Sequence, residues 1–339
     1  MVVSLFRLLI EILAERVVDV YHQSHSNPFL LLPILVVSLL IILFVGYLVK
    51  SDPDIKGSGI PHVEGELKGL MSPNWWSVLW KKFLAGTLAI SMGFMLGREG
   101  PSTQLGAMSA KGLAKALKSS GLEKRVLIAS GAAAGLSAAF NAPIAGLLFV
   151  VEEIYHHFSR LIWITALVAS LVANFISLHI FGLRPVLAMP KAMPFLGLNQ
   201  YWLLLLLGVF LGILGYVYEW VILRFHLIYD FLGKYLKITP AFYGILTVLV
   251  ILPVGYYFPQ LLGGGHGLII SLSQVELPLV TIALYLFIRF IVSMFSYSSG
   301  LPGGIFLPIL TLGALSGTLF ALFFKQIGSQ VVKSSATSS

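Results

Sequence analysis

Three short segments of the sequence have the composition of an anion site built from main-chain atoms. Each is a glycine-rich break followed by a proline and an apolar run: Gly-Ser-Gly-Ile-Pro at 57–61, Gly-Arg-Glu-Gly-Pro at 97–101 and Gly-Ile-Phe-Leu-Pro at 304–308. Glycine permits a sharp turn, and proline is tolerated in a first helical turn, where its missing N–H would have no partner. A first turn also carries free N–H groups and about half a positive charge, which attract anions. The pattern therefore predicts helix N-termini that converge on an anion within a membrane.

Two of these segments also contain a side chain with its own chemistry. Glu99 follows Arg98 in the second segment, and Ser58 stands between two glycines in the first. A lone carboxylate within an apolar segment is costly to place there, which makes it a functional candidate by default. The alternative for Glu99 is a solvated loop acid or an ion-pair partner of Arg98. The alternative for Ser58 is a turn residue that is hydrogen-bonded to its own backbone.

The composition of the chain predicts a membrane environment. Of 339 residues, 58% are hydrophobic and 11% are charged, and mean hydropathy is +0.92, whereas a soluble domain has about 25% charged residues. Several apolar runs approach the roughly 20 residues that cross a bilayer. These runs are 29–49, 78–96, 126–151, 161–181, 201–223, 241–258, 277–295 and 305–324. Most contain Gly, Pro or Ser at their ends or centres, as in broken or tilted helices that line a cavity. We expect an all-α, multi-pass membrane protein, in the plasma membrane or, in a bacterium, the inner membrane.

The charged residues give no support to a nucleic-acid partner. The net charge is +8, from 22 basic and 14 acidic residues, but the basic residues are scattered at the ends of apolar runs. We interpret seven of them as flanking charges that help to set topology. They are Lys81, Lys82, Lys111, Lys115, Lys118, Lys124 and Arg125.

Motifs for enzymatic chemistry are absent from the sequence. It has no cysteine, no Gly-x-Ser-x-Gly nucleophile elbow and no His-Glu-x-x-His zinc motif. We therefore expect neither an enzyme nor a bound metal or other cofactor.

The sequence repeats itself. Pro101 and Pro308 differ by 207 positions, and aligning them gives the shared pattern Gly-x-x-x-Pro-x-x-x-Leu-Gly-Ala. Near the same offset, the segment Gly-Ser-Gly at 57–59 meets the glycine run at 263–265. Interrupted apolar segments at corresponding positions of two halves indicate a transporter's binding site. The alternative is chance similarity among membrane helices rich in Gly, Ala and Leu.

These motifs resemble the CLC family of chloride channels and chloride/proton antiporters. The three glycine-proline segments match the family's anion-site signatures in order and spacing, and Asn-Ala-Pro at 141–143 with Glu-Glu at 152–153 matches its next helix. The resemblance covers residues 29–324. It implies a CLC-like inverted-topology repeat and a homodimer in which each subunit has its own pathway. We divide the chain into an amphipathic N-terminal helix (1–28), a first half (29–200), an incomplete second half (201–328) and a polar tail (329–339).

The resemblance also implies roles for individual residues at the anion site. Ser58 would donate its hydroxyl to the central anion, and a serine at this position points to chloride. The helix after Gly304 would act through main-chain N–H groups, so the side chains of Ile305 and Phe306 would matter mainly for packing. The complete anion-binding set that we expect is Gly57, Ser58, Gly59, Arg98, Gly100, Gly304, Ile305 and Phe306.

Two acids would carry the proton. Glu99 resembles the gating glutamate, whose ionised carboxylate occupies the external anion position and whose protonated form leaves it. Glu153 aligns with the family's internal proton-transfer glutamate, whereas its neighbour Glu152 reads as a solvated residue at the helix end.

The resulting hypothesis is chloride transport across a lipid bilayer, in exchange for protons. The alternatives are a passive chloride channel of the same fold and a transport-inactive membrane module that only dimerises. Adding 207 to Asn141 gives position 348 for the second Asn-Ala-Pro helix, beyond Ser339, and no tyrosine here matches the one that the family supplies from its C-terminal helix. We therefore expect a fragment of a longer protein, and no coupled exchange from these 339 residues alone.

Overall fold

The computed structural model describes residues 1–155, 159–183, 186–187, 197–275 and 277–337. Within these ranges the chain is helical and contains no β-strand. The α-helices are α1 (Val2–Ser26), α2 (Leu31–Ser51), α3 (Ile60–Leu67), α4 (Trp75–Ser91), α5 (Glu99–Ala116), α6 (Gly121–Phe140), α7 (Pro143–Phe149), α8 (Arg160–Phe181), α9 (Tyr201–Leu236), α10 (Gly244–Tyr257), α11 (His266–Leu272), α12 (Leu279–Ser298) and α13 (Phe306–Thr337).

Six helical segments of the described chain are long and apolar enough to cross a bilayer. They are Pro28–Ser51, Arg160–Phe181, Tyr201–Leu236, Pro240–Tyr257, Leu279–Ser298 and Phe306–Lys325. At most 39% of the most apolar window in any of them is buried inside the protein. Most of their apolar side chains therefore face outwards, which suits lipid and not water. The chain is an integral multi-pass membrane protein, as its composition predicts.

The apolar run 126–151 is not one helix. α6 ends at Phe140, Asn141 adopts a left-handed conformation with φ +54°, and α7 begins at Pro143. A π-helix, Val150–Tyr155, follows α7. Asparagine tolerates left-handed backbone and proline fits a first helical turn, so these two residues end one helix and start the next.

The helix that begins at Glu99 is fixed in direction by close packing. A Cβ atom placed on Gly106 of α5 would overlap the carbonyl oxygen of Gly131 in α6, and one on Gly135 would overlap that of Ser102. Lipid gives no hydrophobic drive for helix association, so small residues that allow close backbone approach stabilise such pairs. The pairing of α5 with α6 therefore positions the N-terminus of α5.

The repeat seen in the sequence is also present in the structure. α3 and α11 each follow a glycine with positive φ, +89° at Gly59 and +98° at Gly265. α5 and α13 each begin two residues after the glycine of the repeated Gly-x-x-x-Pro segment. Gly97 and Gly304, 207 positions apart, exchange two main-chain hydrogen bonds of 2.7 Å in an antiparallel bridge. Equivalent residues of the two copies thus meet where the halves join. The fold is the predicted inverted repeat of broken helices.

Candidate anion site

The three glycine-proline segments meet through main-chain hydrogen bonds. In addition to the Gly97–Gly304 pair, the N–H of Gly303 donates to the carbonyl oxygen of Gly57 at 3.0 Å. We call Gly57, Gly97, Gly303 and Gly304 the glycine junction. It brings together segments that are up to 247 positions apart (304 minus 57).

The starts of α3, α5 and α13 lie around this junction. Neither α3 nor α5 has a side-chain cap in the described structure. Ile305 directly precedes α13 and is half-buried. Phe306 is 44% exposed and packs edge-to-face on Phe140, with ring centroids 5.6 Å apart.

Ser58 lies against the first turn of α5. A Cβ atom placed on Gly100 would overlap the Ser58 hydroxyl oxygen. The absence of a side chain at Gly100 is therefore what allows the loop before α3 to approach α5. The structure thus brings the hydroxyl of Ser58 and the start of α5 together, as the sequence predicts for an anion site.

Glu99 lies at the contact between the two halves. Only 2% of the residue is exposed, and the main-chain N–H groups of Glu99 and Leu307 lie near enough to its carboxylate to favour the ionised form. These N–H groups belong to the first turns of α5 and α13. A Cβ atom on Gly97 would overlap Glu99 Oε2, so the carboxylate also lies against the glycine junction, where Oε2 has no hydrogen-bond partner among the described residues. A carboxylate thus lies beside N–H groups of the kind that bind anions.

The interpretation of Lys82 as a topology-setting surface charge is wrong. Lys82 is fully buried, and its Nζ donates to the carbonyl oxygens of Ile55 at 2.8 Å and Gly57 at 2.6 Å. The ammonium group therefore stabilises the loop before α3 rather than a membrane boundary. The sequence contains one indication of a role inside the fold: at the repeat offset of 207, Lys82 corresponds to another basic residue, Arg289.

Arg289 has the corresponding place in the second half. It is fully buried and donates from Nη1 to Leu261 O at 2.8 Å and Gly263 O at 2.7 Å. Its Nη2 donates to Gly264 O at 2.6 Å. No described salt bridge includes Lys82 or Arg289, so carbonyl oxygens are the described hydrogen-bond partners of each buried basic group.

Lys111 is a second correction to the interpretation of the basic residues. It is buried, forms an ion pair with Glu66 and donates to the carbonyl oxygen of Pro73 at 2.6 Å. Its ammonium group therefore forms an ion pair inside the protein, between α3 and α5, and does not lie at a membrane boundary.

Arg98 has a partner that sequence reasoning missed. Its Nη1 donates to Glu11 Oε1 of α1 at 2.7 Å. The two residues are 87 positions apart, and no motif in the sequence connects them.

Among the described hydrogen bonds and ion pairs, none joins Glu152 or Glu153 to the glycine junction. Both are exposed and belong to the π-helix Val150–Tyr155. Among the described hydrogen bonds and ion pairs, none joins Glu153 to Glu99. The described residues also contain no cluster of His, Cys, Asp and Glu that could bind a metal ion.

Comparison with known proteins identifies the family of this chain. The family described as voltage gated chloride channel matches residues 39–338. The H(+)/Cl(-) exchange transporters ClcA of Salmonella arizonae and Salmonella newport are each 37% identical to the chain over 311 residues, which cover 88% of this chain and 64% of each relative. The chain thus spans 64% of the length of these curated relatives.

Solved structures give the same result. A slow cyanobacterial Cl-/H+ antiporter is 26% identical, with a TM-score of 0.88 over 97% of this chain and 77% of that one. A eukaryotic CLC transporter, 20% identical, shares the fold with a TM-score of 0.75 over 96% of this chain and 58% of that one. By its sequence match and its fold, the chain belongs to the CLC, or voltage-gated chloride channel, family.

Proposed function

We propose that this protein moves chloride across the membrane in exchange for protons, with Glu99 as the residue that couples the two ions. The observation that carries the proposal is the position of the Glu99 carboxylate, which is buried against the glycine junction, beside the N–H groups of the first turns of both α5 and α13. A carboxylate and a chloride ion need the same donors. The names of the relatives described above, exchange transporters and antiporters, support the same assignment.

The mechanism follows from that competition. Ionised Glu99 occupies the N–H groups and closes the chloride path. Protonated Glu99 is neutral, so it loses its attraction to the helix N-termini, moves away and leaves the donors to chloride. Each cycle then exposes the carboxyl group to protons while chloride passes, which couples the two movements.

The remaining anion contacts come from both halves of the chain. The Ser58 hydroxyl donates to the central chloride, and Gly57, Gly59 and Gly100 give it room. Gly304, Ile305 and Phe306 contribute main-chain N–H groups, and Arg98 adds positive charge. We place the division between the two halves, 29–200 and 201–328, at residue 200, with 1–28 as an amphipathic N-terminal helix and 329–339 as a polar tail.

Glu153 is proposed as the internal proton acceptor. It is an exposed acid at the end of the α7 segment, where water can deliver protons. We also propose a homodimer with one pathway per subunit, and a transporter that needs neither enzymatic chemistry nor a cofactor.

The test is flux from liposomes loaded with chloride and diluted into chloride-poor buffer. Chloride leaving in exchange for protons makes the external medium more alkaline, against the proton gradient if one is imposed. The assay is run with the 339 residues alone and with the same residues co-expressed with the part of ClcA that they do not match. Following the sequence-based expectation, only the second sample should exchange.

Each result decides between the alternatives. Uphill proton movement in either sample supports exchange. Chloride release without proton movement favours the passive channel. Folded, monodisperse protein without flux in both samples favours the transport-inactive module and contradicts the proposal.

A further inference from the structure

A cluster of charges joins α1 to the residue that precedes Glu99. Glu11 Oε1 accepts from Arg98 Nη1 at 2.7 Å and from Arg7 Nε at 3.0 Å. One carboxylate oxygen therefore bridges two guanidinium groups from different helices. The side chains of Arg7 and Arg98 are 7% and 8% exposed, and that of Glu11 is 35% exposed.

Arg7 is fixed independently of Arg98. Its Nη1 donates to Asn141 Oδ1 at 3.1 Å, and its guanidinium lies 3.8 Å from the centre of the Phe181 ring. Asn141 Oδ1 also accepts from the Ser177 hydroxyl at 2.8 Å. These contacts attach α1 to the ends of α6 and α8, and they therefore fix the position of Glu11 next to Arg98.

The charged and titratable groups of this cluster come from three places. α1 supplies Arg7 and Glu11, Arg98 immediately precedes α5, and α11 supplies His266, which interacts electrostatically with all three. His266 Nε2 is hydrogen-bonded to the carbonyl oxygen of Val186. α6 and α8 contribute neutral groups. With His266 neutral, two arginines and one carboxylate give a net charge of +1.

We propose that Glu11 is a positioning residue that holds the Arg98 guanidinium and lowers the positive potential at the Glu99 carboxylate. The inference rests on the proposed function, because it assigns Glu11 to the setting of the pH at which Glu99 takes up its proton. Without Glu11, Arg7 and Arg98 would present a charge of +2. A greater positive potential favours ionised Glu99, which is the closed form, and exchange would then require a more acidic medium.

The decisive experiment compares the pH dependence of exchange in three variants. Glu11→Gln should move the half-maximal pH lower by about one unit, the size expected for one nearby charge in a partly buried site. Arg7→Gln removes a positive charge from the same cluster and should move it in the opposite direction. Glu15→Gln, at an exposed position one turn further along α1 that makes none of the described ion pairs, should leave the profile unchanged.

If Glu11 had only a structural role, Glu11→Gln and Arg7→Gln would not shift the half-maximal pH of exchange in opposite directions. Loss of packing would lower the amount of active protein in both α1 variants without separating their half-maximal pH values. Glu11→Asp, which keeps the charge, should restore most of the wild-type profile. Glu11→Gln and Arg7→Gln profiles that coincide with wild type, or an equal shift from Glu15→Gln, would overturn the proposal.

Chloride binding gives a readout that does not depend on transport. In protein with Glu99→Gln, where the gate carries no charge, addition of Glu11→Gln should tighten chloride binding by roughly threefold in calorimetry, since one opposing charge is removed at a screened distance. Absence of exchange both from the 339 residues alone and from the co-expressed sample contradicts the proposed function, and the titration then decides the inference alone. Chloride affinity unchanged by Glu11→Gln, or no chloride binding in either protein, would count against it.

Discussion

The loops before α3 and α11 can be compared residue by residue. In the loop 57–59 the first and last glycines have φ of +61° and +89°, and in the loop 263–265 they have +69° and +98°. Lys82 donates to the carbonyl groups of the first loop and Arg289 to those of the second. Each loop therefore has left-handed glycines at its two ends and a buried basic side chain that donates to its carbonyl groups. Both halves thus retain this local main-chain geometry.

The side chains at the helix starts differ between the halves. At the offset of 207, Arg98 and Glu99 correspond to Ile305 and Phe306. Both halves thus offer N–H groups to an anion, but only the first offers a titratable group beside them. Under the proposed function, anion binding is therefore a property of the pair of halves, whereas proton coupling belongs to one half.

The largest expected effect comes from removing that titratable group. Glu99→Gln should abolish proton movement and leave chloride flux, because glutamine has the shape of the protonated acid but cannot carry a proton. Chloride and proton fluxes are measured in the same liposomes. The matched control is Phe306→Leu at the corresponding position, which should retain coupling. Uphill proton transport by Glu99→Gln would contradict the assignment of proton coupling to the first half alone.

A second acid of the first half is expected to have a similar effect on protons. Glu153→Gln should stop proton movement and retain a chloride leak, since the anion path does not require an internal acid. Glu152→Gln is the control, because its side chain is also exposed in the same π-helix. Wild-type proton stoichiometry in Glu153→Gln would assign Glu153 to an ordinary solvated helix end.

The buried cations should affect stability, and unequally. Arg289→Met leaves the carbonyl oxygens of Leu261 and Gly263 without a described donor, because Gly264 O also accepts from Thr311. Lys82→Met leaves only that of Ile55, because Gly57 O also accepts from Gly303. Each unsatisfied buried group costs about 1–3 kcal/mol, so both variants should unfold at lower temperature in detergent, with Arg289→Met affected more. Lys82→Arg and Arg289→Lys, which keep the charge, should lose less. Equal stability of all four variants would show that the loops do not need these donors.

The smallest effect is expected on ion selectivity. Ser58→Pro removes a hydroxyl donor and stiffens the loop, so preference should shift from chloride towards nitrate while transport continues. The corresponding residue of the second loop is Gly264, which has no side chain, and the shift should therefore be specific to the first half. Unchanged relative uptake of the two anions would exclude Ser58 from the selectivity site.

Periodicity and composition predicted the membrane helices, the breaks and the repeat, because each depends on local residue types. The same reasoning was wrong for Lys82 and Lys111. In sequence, a lysine at the end of an apolar run has the same surroundings whether it reaches water or binds a buried carbonyl group. Only the tertiary contacts distinguish the exposed lysine from the buried one. The partner of Arg98 could not be predicted for a related reason, since Glu11 reaches it through the packing of α1 on α5.

The hydrogen bonds between Gly97 and Gly304 have a consequence for biogenesis. Their partners are separated by 207 positions, so at about 5–20 residues per second the ribosome needs roughly 10–40 s to produce the second after the first. During that time α5 is already made, but the N–H of Leu307 is not there beside the Glu99 carboxylate. The nascent first half must therefore keep this acid hydrated, protonated or covered by the insertion machinery until α13 enters the bilayer.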